Sequence, residues 1–309
     1  MPTLSIIIVN YQNWGLLDRC LNSLRQIDWI EVVVVDNCSP TNRLEEFQKT
    51  FPAFKFIKNT GNNGFANACN LGAKHASGLY YFFLNPDAVA LDTLLDELLK
   101  QYQDLAILGV VQVNEKGKKQ AFEKPFPSLM TILGWTRAII AKKAFTRKIM
   151  LNDSVQQVPW VSGAAVFISK KWFDTIKGWD EDFWMYFEDT ALSKKAIDLG
   201  GKVGILLNPT LLHLHGGSSR INPKTTALTK LEVMISRHVY IDKYVEQYRS
   251  LTQALAVANH LILGLFQTLI GLITFFTPKG RMYLRLFRDL VSYYIKAIGS
   301  NNWKSPRIA

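Results

Sequence analysis

The chain has 309 residues, enough for one large domain with an appendage and a full core. Its net charge of +11 is concentrated in two stretches: residues 116–150 carry nine Lys/Arg against one Glu, and residues 220–309 carry thirteen against four Asp/Glu. Both stretches hold apolar runs, Leu129–Leu133 and Leu261–Leu265, so an anionic membrane surface fits them better than nucleic acid, and no nucleic-acid partner is expected.

Leu4–Tyr11 is a continuous β-rich apolar run, the pattern of a strand buried on both faces. Leu4–Val9 is too short for a signal peptide. Leu16–Ile27 has helical spacing, Glu31–Val35 reads as a second buried strand, Leu44–Thr50 as a short helix and Phe54–Lys58 as a short strand. Ala66–Ala76 reads as helix, Tyr80–Leu84 as strand and Leu91–Gln103 as helix. Strands alternating with helices predict a mostly parallel, doubly wound α/β sheet, which binds ligands beyond the carboxyl ends of its strands.

Residues 115–150, with Pro125 and Pro127, interrupt this rhythm and predict an excursion followed by a basic amphipathic helix. Val161–Ser169 returns as strand, Lys171–Ile176 and Thr190–Leu199 as helices, then Val203–Leu207 and Leu211–His215 as strands before Gly216-Gly217-Ser218-Ser219. After Arg220 the pattern is helical: Thr226–Arg249, the charge-free Leu255–Phe276, and the basic Lys279–Ile298. Leu255–Phe276 is long enough to span a bilayer, but Asn259, His260, Gln267, Thr268 and Thr274 interrupt it. Helices lying in the interface, with Arg281, Arg285, Arg288 and Lys296 on lipid phosphates, compete with full spanning and with a helical layer covering the first domain or a homo-oligomer partner. Cys20, Cys38 and Cys69 are odd in number and lack metal or redox spacing, the pattern of reduced thiols in a cytosolic protein.

Three acidic positions organise the chemistry. Asp36 ends the run Val32–Val35, Asp87 follows Tyr80–Leu84 in Asn85-Pro86-Asp87, and Glu188-Asp189 closes an aromatic segment that starts at Gly178. Two carboxylates at strand ends and a third after an aromatic wall can bind a nucleotide, hold a metal and take a proton. Gly61-Asn62-Asn63-Gly64-Phe65 can open a helix onto a phosphate. A dinucleotide-binding dehydrogenase would place that loop after the first strand, with an acid about 20 residues later. Here Asp36 precedes the loop, which argues against a dehydrogenase.

Ser5-Ile6-Ile7-Ile8-Val9-Asn10-Tyr11, Asp36-Asn37-Cys38-Ser39, Asn59 to Ala66, Asn70-Leu71-Gly72, Asn85-Pro86-Asp87, Ser162-Gly163-Ala164-Ala165 and Trp179 to Asp189 together resemble glycosyltransferase family 2, most nearly its bacterial rhamnosyltransferase branch. The resemblance covers about residues 3–219. It implies a GT-A type nucleotide-binding domain over 1–220 and leaves 221–309 as a helical, membrane-associating region.

The resemblance implies donor-nucleotide contacts at Asn10, Tyr11, Asp36, Asn62, Gly64, Phe65, Asn70 and Asn85. A carboxylate at 36 suits an imide N–H and ribose hydroxyls; capping the turn after Ser39 is its structural alternative. Asn70 has an equally plain alternative in bracing the turn. Asp87 stands in the family's Asp-x-Asp metal position with its first acid replaced by Asn85. His213 or His215 would complete a Mn2+ or Mg2+ site, and the spacing leaves both open.

Asp189 is the expected general base, and Glu188 would position it or bind an acceptor hydroxyl. A charge pair on a helix N-terminus is the structural alternative. The usual continuation of this motif is altered by Ala191 and Lys195. Gly163, Trp179, Trp184 and Tyr186 are expected at the sugar and acceptor side, with core packing as the alternative for the aromatics.

The implied reaction is inverting transfer of a sugar, rhamnose from dTDP-rhamnose first, to a hydroxyl of a lipid-linked saccharide at the cytoplasmic face of a bacterial membrane. A UDP-hexose or UDP-N-acetylhexosamine donor, or a non-catalytic nucleotide-sugar or membrane-binding module, are the alternatives.

Overall fold

The computed structural model describes residues 2–24, 28–90, 93–103, 105–122, 125–132, 149–214 and 222–308. The basic helix expected before residue 148, and His215 to Ser219, lie outside the described residues. The described residues form two units. The first holds residues up to 122, 149–181 and 188–214; the second holds 125–132, 182–187 and 222–308.

The first unit is built on one mixed sheet. In chain order it runs β1 (Leu4–Asn10), α1 (Trp14–Asn22), β2 (Ile30–Asp36), α2 (Leu44–Thr50), β3 (Lys55–Lys58), α3 (Phe65–Lys74), β4 (Tyr80–Leu84), β5 (Ala88–Val89), α4 (Leu94–Gln101), β6 (Ile107–Val113), β7 (Val155–Gln157), β8 (Ala165–Ser169), α5 (Lys170–Thr175), α6 (Glu188–Asp198) and β9 (Val203–His213). The strand order is β3-β2-β1-β4-β8-β6-β9-β5, with β7 also on β9. β3, β2, β1 and β4 are parallel, as are β6 and β9, while β8 runs antiparallel between β4 and β6. Sequence pattern assigns no element to residues 107–113, where β6 lies. Val203–Leu207 and Leu211–His215, expected as two strands, form one strand through Asn208-Pro209 as far as His213, and His215 lies outside the described residues. The β6–β9 register shifts near this Pro, which has no N–H to give the ladder.

Continuous apolar strands arise because both sheet faces are covered. Leu4, Ile6 and Ile8 join one hydrophobic cluster and Ile7 and Val9 the other. β1 and β2 end together, Asn10 beside Asp36, so their polar ends share one rim of the sheet. Cys20 and Cys69 are buried free thiols, and burial pushes both up.

The second unit contains α7 (Pro223–Tyr244), α8 (Arg249–Ile273) and α9 (Pro278–Ser300). Asn222 caps α7 by accepting from the Thr225 N–H, and Thr277 caps α9 by accepting from the Gly280 N–H. Each cap is followed by a Pro whose missing N–H costs nothing there. α8 and α9 pack as an antiparallel pair. A Cβ on Gly264 would lie 2.6 Å from the Phe287 ring, and one on Gly271 3.0 Å from the Gly280 carbonyl oxygen. The polar residues of α8 turn inward: Thr252, Gln253 and His260 are buried, while Leu251, Ile262, Phe266, Leu269 and Ile273 are exposed. His260 Nδ1 and His238 Nε2 both bond the Tyr294 hydroxyl, at 2.7 and 2.8 Å.

Gly72 lets α3 lie against β1: an added Cβ would fall 2.5 Å from Ile7 Cγ2 and 3.2 Å from Val35 Cγ2. Both neighbours are β-branched and cannot swing away. Gly72→Ala should cost about 1–3 kcal/mol of stability, measured by denaturant unfolding.

Candidate active site

The rim of the sheet is shaped first by β1 and β2. Asn10 is fully buried and donates from Nδ2 to Asp36 Oδ1 at 3.3 Å, while its Oδ1 accepts from the Asn13 N–H. Asp36 accepts from Ser39 Oγ at 2.5 Å and Ser39 N at 3.1 Å. Asp36 thus organises the turn that follows it, the structural alternative weighed above. Tyr11, 39% exposed, stands at the rim.

A network of amides joins this rim to the glycine loop. Asn37 donates to Asn62 Oδ1 at 3.1 Å and to the Gly64 carbonyl at 3.2 Å, and Asn59 donates to Asn37 and Asn67. Gly64 precedes α3 with φ +100°, a conformation L side chains avoid. Asn70 is occupied elsewhere. It brackets Trp179, accepting from the backbone N–H and donating to the carbonyl, and it also donates to Glu181. These bonds brace the turn at Trp179. Asn37 and Glu181, absent from the expected set, are central to these bonds.

Asn85-Pro86-Asp87 is a tight turn closed by the Ala88 N–H on the Asn85 carbonyl at 3.1 Å, with Pro86 at the position whose φ suits it. The Asn85 N–H bonds the Ala164 carbonyl. β5 then pairs Ala88 with His213, and the Leu214 N–H bonds the Asp87 carbonyl at 2.9 Å. These backbone bonds bring His213 Nε2 to 2.9 Å from Asp87 Oδ1, and Gln112 Oε1 lies 2.7 Å from Nδ1. Gln112 has no sequence signal beyond its strand.

Asp189 lies in the first turn of α6. Its Oδ2 accepts from the Gly163 N–H at 2.9 Å and its Oδ1 from the Thr190 N–H at 2.7 Å. The Phe65 ring would be 3.6 Å from a Cβ on Gly163, so the glycine loop, the 162–164 turn and the α6 N-terminus meet.

The model of the family "Glycosyl transferase family 2" matches residues 5–176. The chain belongs to that family. Over 230 residues it is 24% identical to N-acetylglucosaminyl-diphospho-decaprenol L-rhamnosyltransferase of Mycobacterium tuberculosis, covering 65% of this chain and 70% of that enzyme. It is 25% identical over 291 residues to polypeptide N-acetylgalactosaminyltransferase 3 of Taeniopygia guttata, covering 85% of this chain but only 46% of that enzyme's length. In fold it resembles mannosyltransferase PcManGT from Pyrobaculum calidifontis in complex with GDP-Man and Mn2+, with a TM-score of 0.55 at 15% identity over 96% of this chain and 87% of that one. Such neighbours share the GT-A fold.

Against the expectations of this family, the aromatic wall is largely packed. Trp179 is 2% exposed and meets Phe65 and Phe83 edge-on, the core packing given as the alternative for these aromatics. Trp184 and Tyr186 belong to the second unit, where Arg307 lies 5.1 Å over the buried Trp184 ring. Tyr186 and Phe187, directly before Glu188, both have left-handed φ, +73° and +66°. For bulky residues this costs about 1–3 kcal/mol each and is concentrated where structure over-determines it.

Glu188 is buried and its Oε2 has no hydrogen-bond partner. Burial, reinforced by the Asp189 charge, holds its carboxyl well above the ordinary value of 4.5. A raised acid costs the folded state stability once pH exceeds the unfolded value, because the unfolded chain releases that proton first. Glu188→Gln should therefore melt higher than wild type at pH 8, with the difference fading below about pH 4.5. Thermal melts across pH check this.

Proposed function

We propose that the protein is an inverting, metal-assisted glycosyltransferase that takes a sugar from a nucleoside diphosphate, dTDP-rhamnose first, and adds it to a hydroxyl of a lipid-linked saccharide. The observation that carries the reading is the Asp87–His213 pair, held by strand pairing at the sheet rim. Neighbouring ligands on an octahedral ion with bonds of about 2.1 Å lie about 3.0 Å apart. The 2.9 Å between Asp87 Oδ1 and His213 Nε2 fits that edge. Gln112 on Nδ1 fixes the imidazole, as outer partners of metal-binding histidines do.

Among the described residues no cluster of three or more His, Cys, Asp or Glu could hold a metal. Two protein ligands with phosphates and water suit Mg2+ or Mn2+. A bound divalent ion would supply positive charge to the departing diphosphate. His215 lies outside the described residues, so His213 is the ligand proposed.

Asp189 takes the acceptor proton as the hydroxyl oxygen attacks the anomeric carbon from the side opposite the leaving group. The Gly163 and Thr190 N–H groups hold its two oxygens in place. The N-terminus of α3, opened by Gly64, offers N–H groups to the donor diphosphate, and the exposed Tyr11 ring offers a face to the base.

Support for rhamnose is the mycobacterial relative, whose name also gives a lipid diphosphate saccharide. Support for a UDP-N-acetylhexosamine donor is the fold shared with S. aureus TarS in complex with UDP-GlcNAc, at a TM-score of 0.52 and 18% identity. Thermal shift with dTDP- and UDP-sugars, with Mn2+ and then chelator, separates these donors. His213→Ala should lose the metal-dependent part of the shift. Asp189→Asn should keep that shift and lose turnover by about 10²–10⁴-fold; retained turnover would sink its role as base.

For a membrane partner, the support is α8. It is long and apolar enough to cross a bilayer, yet its outward face is the apolar one. Its antiparallel companion α9 carries Lys279, Arg281, Arg285, Arg288 and Lys296, which a spanning pair would drag into hydrocarbon. The proposed arrangement is interfacial, at the cytoplasmic face, with these cations at lipid phosphates. The triple variant Ile262→Lys, Phe266→Lys, Ile273→Lys changes only exposed positions. It should co-sediment at least about tenfold less with phosphatidylglycerol vesicles. Undiminished sedimentation would contradict the interfacial face.

A further inference from the structure

Residues 182–187 run directly into Glu188 and Asp189, yet they fold within the helical unit, while Glu181 and Glu188 on either side belong to the α/β unit. The helical unit grips this hexapeptide along its length. Lys243 and Lys304 pair with Asp182 at 2.8 and 2.6 Å, and Phe187 packs on Tyr240 with ring centroids 6.0 Å apart. At the centre, Ser236 Oγ donates to the Met185 carbonyl at 2.7 Å. Ser236 is 1% exposed and lies on α7, one turn before Tyr240.

That hydrogen bond fixes one peptide plane, the one between Met185 and Tyr186. The next torsion is the φ of +73° at Tyr186, and Phe187 follows at +66°. An aromatic residue leaves this region readily if its peptide plane can turn over. A flip of about 180° would carry Tyr186 to a φ of roughly −107°, inside the broad allowed region. The Ser236 hydroxyl on the Met185 carbonyl opposes that flip.

We propose that Ser236 is a positioning residue for Asp189: its hydroxyl latches the peptide leading into the base in the left-handed form that aims the carboxylate. The inference rests on the reading of Asp189 as general base. Orientation errors well short of a bond length reduce transfer rates steeply, without touching donor affinity.

The test compares wild type, Ser236→Ala, Ser236→Thr and Asp189→Asn in the full chain. Hydrogen exchange is read on the peptide spanning 182–190. Turnover is read as nucleoside diphosphate release from dTDP-rhamnose and from UDP-N-acetylglucosamine. Ser236→Ala should exchange at least tenfold faster across 182–190 and lose at least tenfold in kcat, with donor KM within twofold. Ser236→Thr, which keeps the hydroxyl, should restore both.

Unchanged exchange in Ser236→Ala overturns the latch, whatever the donor. A kcat loss that Ser236→Thr does not reverse, or that comes with an equal rise in donor KM, also overturns it. Turnover retained by Asp189→Asn overturns the base assignment and this inference with it. An inactive Asp189→Asn beside a fully active Ser236→Ala overturns this inference alone. Should Ser236→Ala melt early, Ser236→Cys, of similar volume with a weaker donor, carries the same comparison.

Discussion

His213 and Asp87 stand 126 residues apart in the chain and are joined by backbone pairing before any side chain meets. The Ala88–His213 pairing and the Leu214 N–H on the Asp87 carbonyl set the two chains in register. Pro86 at the second position of the turn delivers Asp87 to that register. Side-chain chemistry then follows from strand geometry, because period-two alternation sends His213 into the space above Asp87. Asn85, where the family pattern has its first acid, is instead used through its backbone, as an acceptor from Ala88 and a donor to Ala164. In the proposed metal site, the imidazole of His213 would stand as the second ligand that Asn85 cannot be, which is how the motif would tolerate the loss of one acid.

The helical unit obeys a different rule. In a water-facing helix the polar stripe looks outward. α8 reverses this, with Thr252, Gln253 and His260 inside and a run of Leu, Ile and Phe outside. The reversal is possible because the interior supplies partners. Tyr294 lies between two histidines, and burial holds His238 down at about 4, so the imidazole stays neutral and packs without a counter-ion. Trp303 stacks on His238 at 4.9 Å and closes this cluster.

Much of this was legible in the sequence because it rests on local pattern. Apolar runs gave the strands of the parallel half, and polar residues at their ends gave Asn10, Asp36 and Asp87. The polar interruptions of Leu255–Phe276 were legible too, but their direction was not. Composition reports that His260 is present, and only the packing of α7 and α9 turns it inward. β6 was missed because a short apolar run at 107–113 carries no flanking motif, and Gln112 was missed with it. The aromatic run before Glu188 read as an acceptor wall, but burial of Trp179 against Phe65 and Phe83 depends on contacts more than 90 residues away. Sequence alone cannot assign an aromatic to core or surface when both uses favour the same residue type.

Left-handed non-glycine residues occur near the rim and before Glu188, and also at Lys177, Tyr248 and Asn301. Gln12 and Cys38 adopt left-handed φ two residues after the ends of β1 and β2, and Tyr186 and Phe187 do so directly before Glu188. Elsewhere the same conformation has a plain role: Asn301 caps α9, as Asn does comfortably. Strands deliver side chains at fixed angles, and a site needs others. A left-handed residue at a strand end turns the chain sharply without adding length, so Asn10-Tyr11 and Asp36-Asn37 stay at the rim while the chain departs. Before Asp189 the same device is used in reverse: the chain enters α6 already turned. Asp189 then lies in the first helical turn with its oxygens held by Gly163 and Thr190, beside Glu188, whose carboxyl is held above its ordinary value by burial and by the Asp189 charge.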